Sequence, residues 1–567
     1  MLDNDPICRP GRFSLRRCNR IAFIVFIVLL VLLVATLTSP PNTIGGPPQP
    51  QAPPPLPTPA RPYDKPGSSM PQGWLDENKS RLQSWFSRPD YYRCADLPIP
   101  PEYWTLEDVT APAFVDIPRT KPIEVGDTVC VRVVVPAQPP RASVLYTPFP
   151  DMGWDSVMLD LVGNDTGISV PVQLRPSPDF RNTKRDSVHV YEADVLLRDV
   201  DLYRPQGLIE YRNAEWNPED GLPLVVYDPE PLLISDLLEV EVTDVFGRSP
   251  YSLARHMELP LCTELSPEGR WVAAADIPFD TEGLPLPDPH GRIWMPYSCR
   301  LQRYSYAGFA QCLLKKYPLM HFYGDSNTRR MLKKVTTLGK WCSAPESFAT
   351  HPCMCEDHEE KFDRFNVDHH EILIDIDPIN GGRTPSRVNL TTAIPPPDKS
   401  RIYFRRWGGL TARNPMPWPR SFEAGVQHYF GTPQVVLLSL TNWDSAFSTR
   451  TFFARQLDRL ITLMQSSYGP DINIILRTGQ YYCCRTDLTR TMRQYTRMRN
   501  QGFDKYIVDV FRERLGPTRN ISVWDVASLM ENQPFEARNA PPFCDSNHVR
   551  SEIVEIENQL LFNHMCN

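Results

Sequence analysis

Leu319-Met320-His321-Phe322-Tyr323-Gly324-Asp325-Ser326-Asn327 is the stretch on which the fold of this chain turns. Its first five residues are an apolar run of strand length and read as a buried β-strand. Thr328 to Leu338 follows, with Met331, Val335 and Leu338 at helical spacing. A serine is thus expected at a sharp strand-to-helix turn. Such a turn exposes a hydroxyl and aims helix-N-terminal amides at whatever the hydroxyl attacks. The competing role for Ser326 is to cap the helix, a common task for serine. Far downstream, Asp545-Ser546-Asn547-His548 supplies an acid and an imidazole three residues apart. Together they suggest a Ser-His-Asp hydrolase or acyltransferase with chain order Ser, Asp, His.

Outward from that stretch, strands and helices alternate from about Ile293 onward. Leu319–Tyr323, Ile372–Ile376, Arg401–Phe404, Gln434–Leu440, Ile472–Leu476 and Ile521–Trp524 read as strands. Phe453, Leu457, Leu460 and Met464 make one apolar helix face, and Ile553, Ile556 and Leu560 make another. This alternation predicts a parallel α/β sheet with helices on both faces. Ligand sites of open α/β sheets form beyond the carboxyl ends of the strands. Ser326, Thr441-Asn442-Trp443-Asp444, Arg477-Thr478-Gly479-Gln480 and the Asp545–His548 loop all fall at such positions. That convergence carries more weight than either short motif. Asp-x-x-His also occurs at Asp186-Ser187-Val188-His189, where it reads as part of a strand.

Earlier in the chain, residues 106–245 show short β-type runs separated by Gly, Pro and Asp clusters. Thr128–Val135, Ser156–Val162, Val188–Leu197 and Leu237–Val242 are the clearest. They predict an antiparallel, immunoglobulin-like sandwich, joined to the α/β part by a connector over 246–292. Before it, Trp74–Phe86 begins a helical neck over 74–105, and residues 39–73 form a Pro-rich stalk. The stalk spans about 100 Å if fully extended as polyproline II.

Ile21–Thr38 is an uninterrupted apolar run without charge. Five arginines (Arg9, Arg12, Arg16, Arg17 and Arg20) precede it, and no Lys or Arg follows until Arg61. The run is long for a cleaved signal peptide, and Leu37-Thr38-Ser39-Pro40 is a poor cleavage site. A transmembrane signal anchor over 21–38 is therefore expected, with residues 1–20 cytoplasmic and the body across the membrane. Its near-minimal length suits a thin Golgi or endoplasmic-reticulum bilayer, with the plasma membrane as the other destination. Asn78, Asn164, Asn389 and Asn520 each begin an N-x-Ser/Thr sequon, and all lie beyond the anchor. Of 14 cysteines, only Cys8 and Cys18 precede it, so the remaining twelve are expected in disulfides. The net charge of −7 is too mild to imply a nucleic-acid partner.

The residues from Ile293 to Asn567 resemble the SGNH (GDSL-type) hydrolase superfamily, and within it the PC-esterase branch. That branch includes plant trichome-birefringence-like polysaccharide O-acetyltransferases, sialic-acid and capsule O-acetyltransferases, and neurexophilin-and-PC-esterase proteins. The resemblance rests on Gly324-Asp325-Ser326, on Asp545-x-x-His548, and on Trp294-Met295-Pro296-Tyr297-Ser298-Cys299-Arg300-Leu301 upstream. The spacing onward to Cys312 and the presence of Arg329 behind the serine belong to the same pattern. The resemblance implies Ser326 as nucleophile, His548 as base and Asp545 as its orienting acid. It implies the Ser326 amide and Asn442 as oxyanion donors, although Leu440 stands where the superfamily has glycine. The glycine of the superfamily's second block has no clear counterpart; Gly408-Gly409 is a candidate, with a simple turn the alternative. Arg329, Trp443 and Arg477 become candidates for substrate contact, with a structural ion pair the alternative for Arg477. Trp407, Trp418 and Trp443 are aromatic rings that either stack on sugars or anchor the core. No tightly bound cofactor is implied; an acetyl donor such as acetyl-CoA would be a co-substrate and a glycan the acceptor.

A rival cluster contains His351, Cys353, Cys355, His358, His369 and His370. Its Cys-Met-Cys spacing is not a zinc knuckle, and in an oxidising lumen disulfides are the expected fate of these thiols, so no metal is expected. Adjacent Cys483-Cys484 would form two separate bridges rather than a vicinal one. Three readings of the function follow: a glycan O-acyltransferase, an acetylesterase using the same triad, or a catalytically silent adhesion protein.

Overall fold

The structure is a computed structural model. It describes residues 93–106, 111–118, 122–137, 153–178, 187–212, 229–235, 238–244, 249, 251–339, 371–383, 395, 397–411, 431–480, 496–533, 549 and 551–567. The expected anchor, stalk and Trp74–Phe86 helix, Asp545 and His548, and the Cys/His-rich cluster lie outside those residues. So do Trp418, Cys483 and Cys484. Among the described residues no helix is long and apolar enough to cross a membrane.

The first ten strands are β1 Phe114–Asp116, β2 Ile123–Glu124, β3 Thr128–Val135, β4 Ser156–Gly163, β5 Ser169–Pro171, β6 Arg175–Pro176, β7 His189–Leu196, β8 Asp201–Tyr211, β9 Glu230–Pro231 and β10 Val240–Thr243. One sheet has the order β1-β3-β7-β6, and the other β2-β10-β8-β4-β5 with β9 on β8. All pairings are antiparallel except β10 with β2. Val129, Val131 and Val133 of β3 meet Leu159 and Leu161 of β4 in a core between the sheets. Of the Asp186-x-x-His189 pattern, Asp186 lies outside the described residues, and His189 opens β7, its ring nitrogen 2.6 Å from the buried Asp155 carboxylate.

A hairpin of β11 (Gly269–Ala273) and β12 (Arg292–Pro296) then leads into the α/β part. The connector thus contributes a strand to this pair, and its Trp271 is buried in the main α/β core. The remaining strands are β13 Leu319–Gly324, β14 Glu371–Asp377, β15 Gly381–Arg383, β16 Ser400–Arg406, β17 Val435–Ser439, β18 Asn473–Arg477 and β19 Asn520–Trp524. The described helices are α1 Tyr306–Lys316, α2 Ser326–Thr336, α3 Thr441–Phe447, α4 Arg450–Ser467, α5 Arg497–Arg514, α6 Ala527–Glu531 and α7 Ser551–Cys566.

The sheet order is β15-β14-β16-β13-β17-β18-β19. Five neighbouring strands, β16 to β19 in that order, run parallel. β14 was expected with them but pairs antiparallel with β16. On its other side, Asp377 accepts the backbone N–H groups of Ile379 and Asn380 and turns the chain straight back into the edge strand β15. That hairpin makes β15 antiparallel to β14.

Strand periodicity sorts the core into two layers. Met320, Phe322, Val435, Leu437 and Ile475 face α1, α2 and α7. Tyr323, Val436, Leu438, Ile474 and Leu476 face α4 and α5. The sheet is therefore doubly wound. β13 comes first in sequence among the parallel strands, with β16 on one side and β17 on the other. The strand order reverses there, which makes the carboxyl end of β13 the topological switch point. Ser326 begins the helix that leaves it.

Candidate functional site

Gly324, the last residue of β13, lies too close to the first turn of α2 for any side chain. A Cβ there would meet Thr328 Oγ1 at 2.2 Å and Ser439 Cβ at 3.0 Å. Asp325 then caps α2, its carboxylate accepting the N–H groups of Asn327 and Thr328 at 2.9 and 3.4 Å. The capping task weighed for Ser326 is thus performed by Asp325. Ser326 is the first residue inside the helix and is 6% exposed.

The turn after β17 reaches the same place. Asn442, in the first turn of α3, donates from Nδ2 to Asp325 Oδ2 at 2.8 Å. An ionised carboxylate only accepts, so this contact orients the amide with its nitrogen beside the helix that starts at Ser326. Its oxygen faces Gly479, where a Cβ would lie 2.9 Å from Asn442 Oδ1. Among the described residues, no other acceptor takes the second hydrogen of Nδ2.

Both loops are fastened by α5. Asp504 accepts from Thr441 Oγ1, and both of its oxygens accept from the Gly479 backbone N–H at 3.1 Å. Asn500 accepts from Ser445 Oγ and donates to the Gln480 carbonyl at 3.0 Å. Arg499 donates to the carbonyls of Ser445 and Ser448, closing the carboxyl end of α3. Burial pushes the Asp504 carboxyl well above the usual carboxylate range, with the charges of Asp525 and Glu531 adding to the effect.

A second carboxylate fixes the loop after β16. Buried Asp444 accepts from the N–H groups of Leu410 and Thr411 at 2.6 and 2.9 Å and from Thr411 Oγ1 at 2.6 Å. Gly409, at φ +87°, lies so close that a Cβ would be 2.8 Å from that carboxylate. The Gly408-Gly409 pair thus lets the loop close over Asp444. Burial pushes the Asp444 carboxyl up to about 7, against the pull of its three donors.

The candidate substrate residues have separate fates. Arg477 is fully buried and donates to Glu557 of α7 at 2.9 Å, its guanidinium over the Trp524 ring at 5.4 Å. Gln480 donates to the same Glu557. Arg329 is buried within α2. Trp407 is buried and packs on Tyr323, ring centroids 4.7 Å apart. Trp443 is half-buried and packs on Phe447 at 5.3 Å. Of the sequons, Asn164 and Asn520 are exposed, whereas Asn78 and Asn389 lie outside the described residues.

The last helix meets α2. Lys334 donates to the Ser551 carbonyl at 2.8 Å and pairs with Glu555 at 2.8 Å. Val549, the residue after His548, is buried in the core beneath α2. Among the described residues, six cysteines form three disulfides: Cys94–Cys130, Cys262–Cys299 and Cys312–Cys566. Among the described residues, the one tight His/Cys/Asp/Glu group is Cys94, Cys130 and Asp194, and both of its thiols are in a disulfide.

The fold and turn define a doubly wound α/β protein with a serine at its switch point, carried beside a β-sandwich. Compared with models of known protein families the chain matches none, and no curated protein matches it.

The sequence reading did not single out Asp325, Asn500 or Asp504 as parts of the site. Asp325 had a signal, since Asp followed by a polar helical start is a capping pattern. Asn500 and Asp504 had none, because their partners lie 20 or more residues away.

Proposed function

We propose that this chain is an SGNH-type glycan O-acyltransferase, acetyl being the group transferred. The observation that carries the reading is the Asn442–Asp325 hydrogen bond. It sets a side-chain amide beside the helix N-terminus that begins at Ser326, at the switch point of a doubly wound sheet. In this reading the Ser326 hydroxyl attacks the donor ester or thioester and its proton passes to His548. The Ser326 amide, the α2 dipole and Asn442 Nδ2 stabilise the oxyanion. The tetrahedral intermediate collapses to an acyl-serine, expelling the alcohol or thiol, which takes the proton from His548. A sugar hydroxyl then attacks the acyl group, giving its proton to His548, and regenerates Ser326.

The position of α7 supports the assignment of His548. Ser551 is held against α2, and the three residue steps from it back to His548 span about 10 Å at most. Lys334, which holds Ser551, is eight residues from Ser326, roughly 12 Å along the helix axis. The loop is therefore long enough to bring an imidazole to the serine. The anchor, lumenal orientation and Golgi or endoplasmic-reticulum location belong to the same proposal. They are supported by the arginines before Ile21 and the exposed sequons at Asn164 and Asn520.

The test is glycan O-acetylation in cells lacking the gene and rescued at matched expression. Wild type should restore it, and the Ser326→Ala and His548→Ala proteins should not. Full rescue by Ser326→Ala would refute a serine nucleophile and favour a binding protein. Loss of acetyl groups on expression of the wild type would make the enzyme an esterase.

A further inference from the structure

A cavity of about 600 Å³ lies between the sandwich and the carboxyl edge of the α/β sheet. Gln173 and Asp194 line it from the sandwich, Glu268 and Tyr297 from the β11–β12 hairpin, and Thr478 and Asp525 from the ends of β18 and β19. Its volume is that of a small-ligand site. Its position is where open α/β sheets take ligands. A chain of contacts links it to the proposed reaction centre, whose Ser326 and Asn442 do not themselves line it. Asp504 lines it, the Gly479 N–H bonds Asp504, Gly479 touches Asn442, and Asn442 bonds Asp325.

The lining has the chemistry of a hydroxyl-binding surface with a negative bias. Gln173, Gln501, Ser266 and Asn532 offer donors and acceptors around it. Two of its carboxylates have cationic partners: Glu268 pairs with Arg198, and Glu531 with Arg497. Asp194, Asp504 and Asp525 accept only neutral N–H and O–H donors. Arg175 is the lining cation that faces them without a carboxylate partner among the described residues. Burial first, and the neighbouring carboxylates second, push both Asp504 and Asp525 up, toward the neutral form, so that adding a further anion beside them is unfavourable.

We propose that this interdomain cavity is the acceptor site and that it selects an uncharged saccharide against an anionic one. The inference rests on the acyltransferase reading and adds where the acceptor lies and what its charge is. An anionic sugar would enter a cavity whose lining holds five carboxyl groups against the two guanidiniums of Arg175 and Arg198, and whose walls lower the dielectric; an excess of like charge there is disfavoured. An uncharged polyol meets amides, hydroxyls and carboxylates, all of which its hydroxyl groups can bond.

Two substitutions of exposed Gln173 probe it with the full lumenal protein. Gln173→Trp narrows the cavity from the sandwich side, and Gln173→Lys adds a positive charge beside Glu531, which Gln173 contacts at 2.8 Å. The acceptors are a labelled neutral tetrasaccharide and the same tetrasaccharide carrying one uronic acid. Thermal unfolding and fluorophosphonate labelling check the fold and Ser326 of each variant. Wild type should use the neutral acceptor at least about tenfold better in kcat/KM. Gln173→Trp should raise the acceptor KM about tenfold with little change in kcat, the signature of lost uniform binding. Gln173→Lys should narrow the preference between the two acceptors. Equal use of both acceptors by wild type, or an unchanged KM in Gln173→Trp, overturns the proposal. Should wild-type Ser326 fail to label, the nucleophile assignment is what fails. Equilibrium binding of the two saccharides to wild type and Gln173→Trp then decides the cavity by itself: tighter binding of the neutral one, weakened by Trp, sustains it, and any other pattern removes it.

Discussion

Gly324, Asp325 and Ser326 are consecutive and do three different things. Glycine permits the close approach, aspartate caps the helix and holds Asn442, and the serine is left with no capping duty. This division separates their mutational effects. Ser326→Ala should cost about 1 kcal/mol of stability or less, because the cap remains. Activity should nevertheless fall by several orders of magnitude, since no other group can carry the acyl intermediate. Asn442→Ala should lower kcat by about 10²- to 10³-fold, the usual effect of losing one oxyanion donor. Unfolding and acyl-transfer kinetics on the same preparations check both. An Asn442→Ala enzyme with unchanged kcat would leave the amide a purely structural link between two turns.

Elements are joined across the sheet by buried charges, and two of these make opposite kinds of prediction. Arg477 of β18 and Glu557 of α7 are both fully buried. Arg477→Met should cost about 3–5 kcal/mol, because it strands a buried carboxylate. The double variant Arg477→Met/Glu557→Gln should recover much of that loss, as a double-mutant cycle would show. A substrate-binding arginine would behave otherwise, with little loss of stability and no rescue. Asp444 couples α3 to the loop after β16. Its folded-state value of about 7 lies above that of an unfolded aspartate. The native state therefore binds this proton more tightly. The group's contribution is fully present below about pH 4 and is lost as pH climbs toward 7. Asp444→Asn cannot titrate, so wild type should lose stability relative to it between about pH 4 and 7. A difference that does not vary with pH would mean that the three donors keep Asp444 ionised throughout.

Over the whole molecule, sandwich and α/β sheet share one helix. Met498, near the start of α5, is buried in the sandwich core. Arg497 donates to the Leu159 carbonyl of β4 at 3.2 Å, and its backbone N–H donates to Glu210 of β8 at 2.7 Å. Later residues of the same helix hold the Asn442 and Gly479 loops. The Cys312–Cys566 disulfide spans 254 residues, tying α1 to the chain's last helix. A loop of that length is worth about 5 kcal/mol in chain-entropy terms, and removal of native disulfides typically costs about 2–5 kcal/mol. Cys312→Ser/Cys566→Ser should lower the denaturant midpoint accordingly; an unmoved midpoint would mean that α1 and α7 hold together by packing alone.

The elements were legible because their patterns are local. Thr128–Val135 has the same bounds in sequence and structure, and five of the six α/β strands read from apolar runs lie in the parallel set. The Gly-Asp-Ser turn was legible because a strand run and a helical spacing meet there. Its partners were not. Asn442 and Asp325 are 117 residues apart, and Arg497 and Leu159 are 338 apart. The sequence by itself determined which segments are strands and helices and which polar residues stand at strand ends. Only the tertiary structure decided the strand order, the antiparallel edge, the use of Asp325 as both cap and clamp, the burial of Arg477 and the cavity beneath the sandwich. Periodicity depends on neighbours a few residues apart, whereas each of those features depends on which distant segment the hydrophobic core brings alongside.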